Sequence, residues 1–414
     1  MIVRYIYSAC IVIETSDLRI CCDPWFTQGI YGGSWFQYPQ VSDPIERIGK
    51  IDFIYISHIH PDHYDPPYLR ALLVANPECQ ILIGQENQRF LKAKMERDGF
   101  QPREISYLAV GGTEMIIVPN YCDDEVNIDS ALAVKNEKYS VVNLNDCSFD
   151  SEQVKSLKDF CGKNPDLACL PYAGAGPYPQ MYRFVDESDR CRAADQKKEQ
   201  FLSLFKEYFD AFSPRFAMPC AGLYYLGGSL HGRNDDRGVP DAIEVRNRFG
   251  TQIIVLSEGF GSMNLSSGEV IGLRTKKYDV QERDLELSRF NQRLFFYQDE
   301  EDVGEAELCD LLEKAHVNAV ARIKNSSDRW ICFKSPATRY LCVHGHSPGK
   351  VEIVESPDEL LNREEIFIDS RLLKGLLSRN SHWNNAEIGS HFEIRRSPEV
   401  YDRRIYNLLN FLHV

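Results

Sequence analysis

The chain has 414 residues, 43% of them apolar, with 47 Lys and Arg against 61 Asp and Glu and a net charge of -14. That apolar content exceeds what one ordinary core needs, so two domains are expected, and the acidic balance repels a polyphosphate backbone, which excludes broad coating of nucleic acid. The thirteen cysteines are odd in number and sit mostly in apolar runs, as Cys21, Cys22, Cys169, Cys332 and Cys342 do, a pattern of reduced packing residues rather than a disulfide scaffold.

The opening stretch, MIVRYIYSACIVIETSDLRICCDPW, is apolar but broken by Glu14, Asp17 and Arg19, so it has neither a secretory core nor a membrane span. A soluble cytoplasmic protein with no membrane partner is expected. Segments 2–7, 10–15 and 18–22 are rich in Ile, Val, Tyr and Cys and bounded by turn residues, which predicts a meander of strands. Residues 52–57 form a buried-type strand that runs into Ser57-His58-Ile59-His60-Pro61-Asp62-His63. A helix follows Pro66-Pro67, then a strand at 80–83 and a helix at 86–97, which is layered α/β order. Strands are predicted near 105–109, 113–118, 130–135 and 139–144.

An amphipathic helix spans about 194–213, where Phe201, Leu204, Phe205, Tyr208, Phe209 and Phe212 recur at helical spacing; it reads as a core-facing helix. Two aromatic, glycine-rich loops, 170–182 and 219–235, are too irregular for either period and suit the rim of a site. From about residue 263 the composition turns acidic, with DEEDVGEAE at 299–307. Beyond it a helix is predicted near 306–316, strands near 330–334, 339–344 and 350–354, and helices near 357–363, 369–378 and 399–412. The last helix is expected to bury Tyr401, Ile405, Leu408, Leu409 and Leu412.

The chemistry concentrates at residues 57–63. Three imidazoles this close repel one another if protonated and uncompensated, and with a carboxylate in the same short loop a cation is the natural organiser. His-x-His-x-Asp-His after a buried strand resembles the signature of the metallo-β-lactamase superfamily. The resemblance implies an α/β fold, an αββα sandwich, here with a smaller α+β C-terminal domain. The composition shift near residue 263 sets the expected domains at 1–262 and 263–414, the second able to cover the site. The resemblance assigns His58 and His60 to a first metal and Asp62 and His63 to a second. Asp23 becomes a partner behind the ligands, Asp146 in VVNLNDC a bridging carboxylate, and His231 the final ligand. The family's usual further histidine is missing, since no histidine occurs between 64 and 230. Cys122, Asp123 and Asp129 are the replacements on offer, and Asp129, which opens the next strand, is preferred. An oxygen donor there hardens the site toward iron or manganese.

The stretches CCDPWFTQGIYGGSWFQYP, VVNLNDC, LPYAGAGPYPQMY and SLHGRND look like the metal domain of CMP-N-acetylneuraminate hydroxylases and their bacterial relatives. Cys342-Val343-His344 has the first half of a Rieske pair, and no cysteine follows it within the chain. Two divalent metal ions are expected, with Fe favoured and Zn or Mn as alternatives, and Asp62 as the catalytic residue. Trp35, Tyr172, Tyr178, Arg233 and Asn234 are candidates for holding a small-molecule substrate, against the plainer reading of loop side chains packed on the rim. Three functions stay open: a diiron oxygenase fed by a separate electron donor, a metal-dependent hydrolase of an ester, amide or phosphoester, and a non-catalytic binding module. SHWNNAEIGSHFEIRR, near the C-terminus, reads either as a second site or as a domain interface, with the interface preferred.

Overall fold

The computed structural model describes residues 1–85, 89–120, 128–348 and 350–414. Cys122, Asp123 and Asp124 lie outside the described residues, as does the start of the helix expected from residue 86, whose described part is Phe90–Arg97. The first sheet has eight strands, in the order Val270–Ile271, Gly261–Asn264, Ile2–Tyr7, Cys10–Glu14, Arg19–Cys22, Phe53–Tyr55, Gln80–Gly84 and Arg103–Ile105. The second has six, in the order Phe216–Cys220, Leu167–Pro171, Ser140–Asn143, Ser130–Lys135, Thr113–Pro119 and Tyr107–Val110.

Side-chain alternation explains why these sheets stack. Ile11, Ile13, Ile20, Cys22, Tyr55 and Leu82 point to the same core as Met115, Ile117, Leu132, Val134 and Leu167 of the facing sheet. Their alternate neighbours point outward: Val12, Cys21, Ile54 and Ile81 pack under Leu69, Leu72, Leu91 and Met95 of helices Pro66–Ala75 and Phe90–Arg97. On the far side, Ala131, Ala133, Val142 and Ala168 pack under helices Ser151–Cys161 and Glu187–Phe212. A sheet buried on both faces needs an apolar residue at every position, which is how these strands read. The result is the expected αββα sandwich. The expected strand at 105–109 is two strands, Arg103–Ile105 and Tyr107–Val110, one in each sheet, because the chain crosses between layers at Ser106.

The C-terminal region is α+β, with a five-stranded sheet in the order Glu352–Val354, Tyr340–His344, Trp330–Lys334, Arg363–Phe367 and Glu393–Ser397. Helices Glu305–Arg322, Ser370–Leu377 and Arg403–Phe411 cover it through Leu308, Leu312, Leu372, Leu376, Ile405 and Leu408. The helix expected at 357–363 is a turn leading into strand Arg363–Phe367. That strand pairs in parallel with Trp330–Lys334, and its buried Glu365 receives Arg363 at 2.9 Å and Arg395 at 2.5 Å. Tyr401, expected inside, is 58% exposed because the helix begins only at Arg403, after Asp402 caps it. A division at residue 262 would cut strand Gly261–Asn264, which pairs with Ile2–Tyr7 from the other end of the sequence.

Glu258 lies in the turn before this strand, 8% exposed, and accepts a hydrogen bond from the Tyr278 hydroxyl. Burial pushes its carboxyl up to about 7, against the pull of Arg274. The folded protein therefore keeps a proton that the unfolded chain has lost, so this residue's contribution to stability falls as pH rises from the ordinary glutamate value through about 7. Glu258→Gln should remove that loss, on the order of 2–3 kcal/mol by pH 8, and leave stability at pH 4 unchanged. Urea denaturation across pH checks it, and parallel pH profiles for both proteins would refute it.

Candidate metal centre

The motif loop leaves strand Phe53–Tyr55 at the end of the sandwich where parallel strands of both sheets also end. A tight turn folds it back, with the amides of His63 and Tyr64 donating to the His60 carbonyl at 3.0 and 2.8 Å. Next to it Asp65 caps helix Pro66–Ala75 and also accepts from the Phe26 and Thr27 amides at 2.9 and 2.8 Å, which ties the motif to the turn after Asp23. Across the sandwich, Tyr55 donates to the Ser130 carbonyl at 2.7 Å and the Ser130 hydroxyl to the Ser57 carbonyl at 2.8 Å. These bonds pin the end of one sheet to the start of strand Ser130–Lys135 in the other, and so bring Asp129 to the histidines.

Asp129, far from the motif in sequence, approaches His58, with Oδ1 3.5 Å from Nδ1. His58 Nε2 faces His60 Nδ1 at 2.9 Å. His63 Nε2 lies 3.5 Å from Asp62 Oδ2 and 3.3 Å from Asp146 Oδ2. Two overlapping groups result, His58 with His60 and Asp129, and His58 with His63 and Asp146, each with its ligand atoms within 4.8 Å of one another. They form one continuous cluster around His58.

The groups of this cluster shift one another strongly. Burial, reinforced by His63 and His60, holds His58 well below the ordinary imidazole value, and burial lowers His60 despite the pull of Asp62. Burial also acts to lower His63, yet Asp146, Asp62 and Asp23 together hold it well above the ordinary value. Asp129 is pushed up to about 7 by burial and then by Asp146. Metals take neutral imidazoles and ionised carboxylates, so His58 and His60 are in the ligand form, whereas His63 and Asp129 would release protons on binding a metal. Asp146 Oδ1 is buried with no hydrogen-bond partner, and no lysine or arginine pairs with Asp62, Asp129 or Asp146 among the ion pairs of the described residues. The donor set thus fits a cation held by mixed imidazole and carboxylate groups.

Outer partners fix the ligands. Asp23, fully buried in the left-handed region at φ 41°, accepts from the Ser57 amide at 2.7 Å and hydroxyl at 2.8 Å, and lies 3.0 Å from His63 Nδ1, which leaves Nε2 facing the cluster. Tyr31 donates to Asp62 Oδ1 at 2.7 Å. Asn384 Oδ1 sits 3.1 Å from His60 Nε2, and Asn384 Nδ2 donates to the Tyr406 hydroxyl at 2.8 Å. With Nε2–H donated to Asn384, the lone pair of His60 is on Nδ1, facing His58. Trp35 Nε1 donates to the Ile388 carbonyl at 3.1 Å, and His391 Nε2 lies 2.6 Å from the Tyr31 carbonyl. The segment 383–391 therefore covers the cluster directly. Asn384 lies in the polar and aromatic stretch SHWNNAEIGSHF that sequence reading singled out without assigning it a partner, and Tyr31 escaped sequence reasoning.

Other expected residues fall elsewhere. His231 lies in the short 3-10 helix Gly228–Asp236 with Nδ1 3.1 Å from its own Gly228 carbonyl, and the clusters found among the described residues do not include it. Trp35 is buried and stacked on Tyr224 at 3.4 Å between ring centroids, and Tyr172 is buried in the core on the outer face of the second sheet. Asn234 uses its amide on the loop backbone, accepting from Leu226 N at 2.9 Å and donating to Leu226 O and His231 O at 2.8 Å. Tyr178 is partly exposed beside Tyr182, and Arg233 pairs with Glu393 at 2.9 Å.

Residues 2–182 match the β-lactamase superfamily domain. The chain is 29% identical over 260 residues to a protein named as a Rieske 2Fe-2S iron-sulfur protein in Mycolicibacterium smegmatis, covering 60% of this chain and 48% of that one. It is 24% identical over 237 residues to the cytidine monophosphate-N-acetylneuraminic acid hydroxylase of Cricetulus griseus, covering 54% of this chain and 40% of that one. The solved structure of CmlA, a diiron β-hydroxylase from Streptomyces venezuelae, aligns at a TM-score of 0.40 and 14% identity, covering 64% of this chain and 54% of that one. The chain spans about half the length of the curated relatives it matches.

Two substitutions test the outer partners. Asp23→Asn should weaken metal binding about 10- to 100-fold by removing the acceptor that orients His63, read by competition with a chromophoric chelator. Asn384→Ala should lower affinity by about tenfold through His60 while leaving the unfolding free energy of the metal-free protein within about 1 kcal/mol of the parent. An unchanged affinity in both would mean that neither residue orients a ligand.

Proposed function

We propose that the chain is a dinuclear metal-dependent enzyme of the metallo-β-lactamase fold, and that it is an oxygenase or hydroxylase using two iron ions on a small polar metabolite. The observation that carries this reading is the donor set. His58, His60 and His63 meet Asp129 and Asp146 in two overlapping groups, Asp62 Oδ2 lies 3.5 Å from His63 outside both groups, and the Asp129 oxygen stands in this reading where a zinc site would offer another imidazole. Hard oxygen donors favour iron and manganese over zinc. The likeness to a named hydroxylase, and to a protein named for an iron-sulfur cluster, supports oxidation over hydrolysis. An amino sugar or nucleotide sugar from a biosynthetic pathway is the substrate class this reading favours. The Rieske name of a relative fits an electron donor carried outside residues 1–414.

Bound in this cluster, iron supplies the redox chemistry for oxidation by O2, whereas zinc or manganese supplies Lewis acidity for hydrolysis. The chain's own part is positional. His58 and His60 present neutral nitrogens from a loop pinned between the sheets. Asp62, held by the Tyr31 hydroxyl on one oxygen, keeps its other oxygen toward His63 and is the group placed to hold a proton beside the reacting atoms. Segment 383–391 covers the cluster and limits entry of water. His231 remains in this proposal as a ligand that must swing in from its turn.

Anaerobic loading with ferrous iron should give about two Fe per chain, and exposure of the reduced protein to O2 should oxidise the iron with matching O2 uptake. Tight retention of two Zn with esterase or phosphodiesterase turnover and no O2 uptake would overturn the oxygenase in favour of the hydrolase. No metal bound, with no change in stability for His58→Ala and His60→Ala, would leave only a non-catalytic binding module.

A further inference from the structure

Between the sandwich and the C-terminal region lies a cavity of about 460 Å³. Arg183 and Arg233 line it from one side and Lys334, Phe367 and His391 from the other. In a chain of net charge -14, three cations around one recess stand against the overall field. Their placement is organised. Glu393 accepts from Arg183 Nε at 2.6 Å on one carboxylate oxygen and from Arg233 Nη2 at 2.9 Å on the other, so one carboxylate holds two guanidinium groups together. Arg183 also lies 3.5 Å from the centroid of the Phe367 ring, which fixes its plane. The two arginine side chains remain 46% and 33% exposed, so their other N–H groups keep access to a ligand.

The remaining charges leave the recess positive. Asp369, the other carboxylate of the wall, is taken up by Arg371 at 2.7 Å, Glu393 is shared by the two arginines, and the Lys334 ammonium, which donates to the Thr338 carbonyl, also feels Glu305, a carboxylate already paired with Arg339 at 2.7 Å. Guanidinium forks of this kind recognise carboxylate and phosphate oxygens in pairs. Phe295 and Phe367 add apolar wall. Ser335 Oγ, Ser390 Oγ and His391 Nδ1 belong to wall residues that are at least nine-tenths buried, and none has a hydrogen-bond partner. Buried polar atoms are usually paired, so hydrogen-bonding capacity is left over beside the cations.

We propose that this cavity binds a small organic oxyanion, a carboxylate or phosphate ester on a planar or apolar body, at a site separate from the metal centre. His391 stands in its wall and touches the Tyr31 carbonyl, and Tyr31 bonds Asp62, so two side chains separate the anion from the metal ligands. The proposal does not depend on which metal or reaction the cluster supports.

Calorimetric titration of the full chain, stripped of metal by a chelator, tests it with benzoate, phenyl phosphate and inorganic phosphate as probes. One of the two organic anions should bind at one site per chain, weaken with added salt, and bind at least about tenfold less tightly to Arg183→Gln and to Lys334→Met. Circular dichroism establishes that each variant is folded. Lys334→Met alone decides the matter if Arg183→Gln does not fold, because methionine keeps the apolar stem of the lysine. The proposal is overturned by no saturable binding of either organic anion up to about 10 mM, by unchanged affinity in the folded variants, by binding that needs added metal, or by inorganic phosphate binding as tightly as either organic probe.

Discussion

Four carboxylates, Asp23, Asp62, Asp129 and Asp146, converge on three imidazoles at the rim where both sheets end, and the rest of the molecule is arranged around holding them there. Two like charges about 4 Å apart cost about 4 kcal/mol at the effective dielectric of a protein surface, so such a cluster needs either protons or a cation. The fold supplies some relief on its own: Asp23 is held by Ser57 and His63, and Asp62 by Tyr31. Asp146 Oδ1 has no such partner. The mutual constraint falls on the backbone. Tyr55 and Ser130 lock the two sheets in register at that end, and Asp23 sits at a positive φ that its buried hydrogen bonds maintain.

The same cluster explains the C-terminal region. Open to water, this rim would leave the imidazoles free to rotate and the carboxylates hydrated. Segment 383–391 closes over it with three separate contacts, to His60, Trp35 and Tyr31, each from a different residue. Its own sheet is held by buried Glu364 and Glu365, both paired with arginines from Glu393–Ser397, so the strand that follows the covering segment is anchored by charge as well as by backbone pairing. Closing the rim also creates the cationic cavity behind it, because Glu393 follows His391 by two residues and draws in Arg183 and Arg233 from the sandwich.

Much of the sandwich was readable because its strands are buried on both faces, and an unbroken Ile, Val, Leu and Cys run has few other uses. The boundaries that failed did so for tertiary reasons. Ser106 separates two strands in different sheets, which no local pattern marks. Strand Arg363–Phe367 carries Glu364 and Glu365 in its interior, a sequence that reads as polar and helical until arginines from a neighbouring strand neutralise it. Strand Gly261–Asn264 completes the first sheet by pairing with Ile2–Tyr7, so a composition shift at residue 262 did not mark the end of that sheet.

By itself the sequence determined the core of the candidate metal cluster, because His58, His60, Asp62 and His63 lie within one loop whose turn brings them together. It also left no histidine between 64 and 230 to join them. Only the tertiary structure decided that Asp129 approaches His58, since that contact needs two sheets in one register. It alone assigned Asn384 and Tyr31 their partners, and turned Trp35, Tyr172 and Asn234 from candidate ligand contacts into buried groups with partners in the protein. Those outcomes depend on distances between residues up to several hundred positions apart, which packing sets and local sequence does not encode.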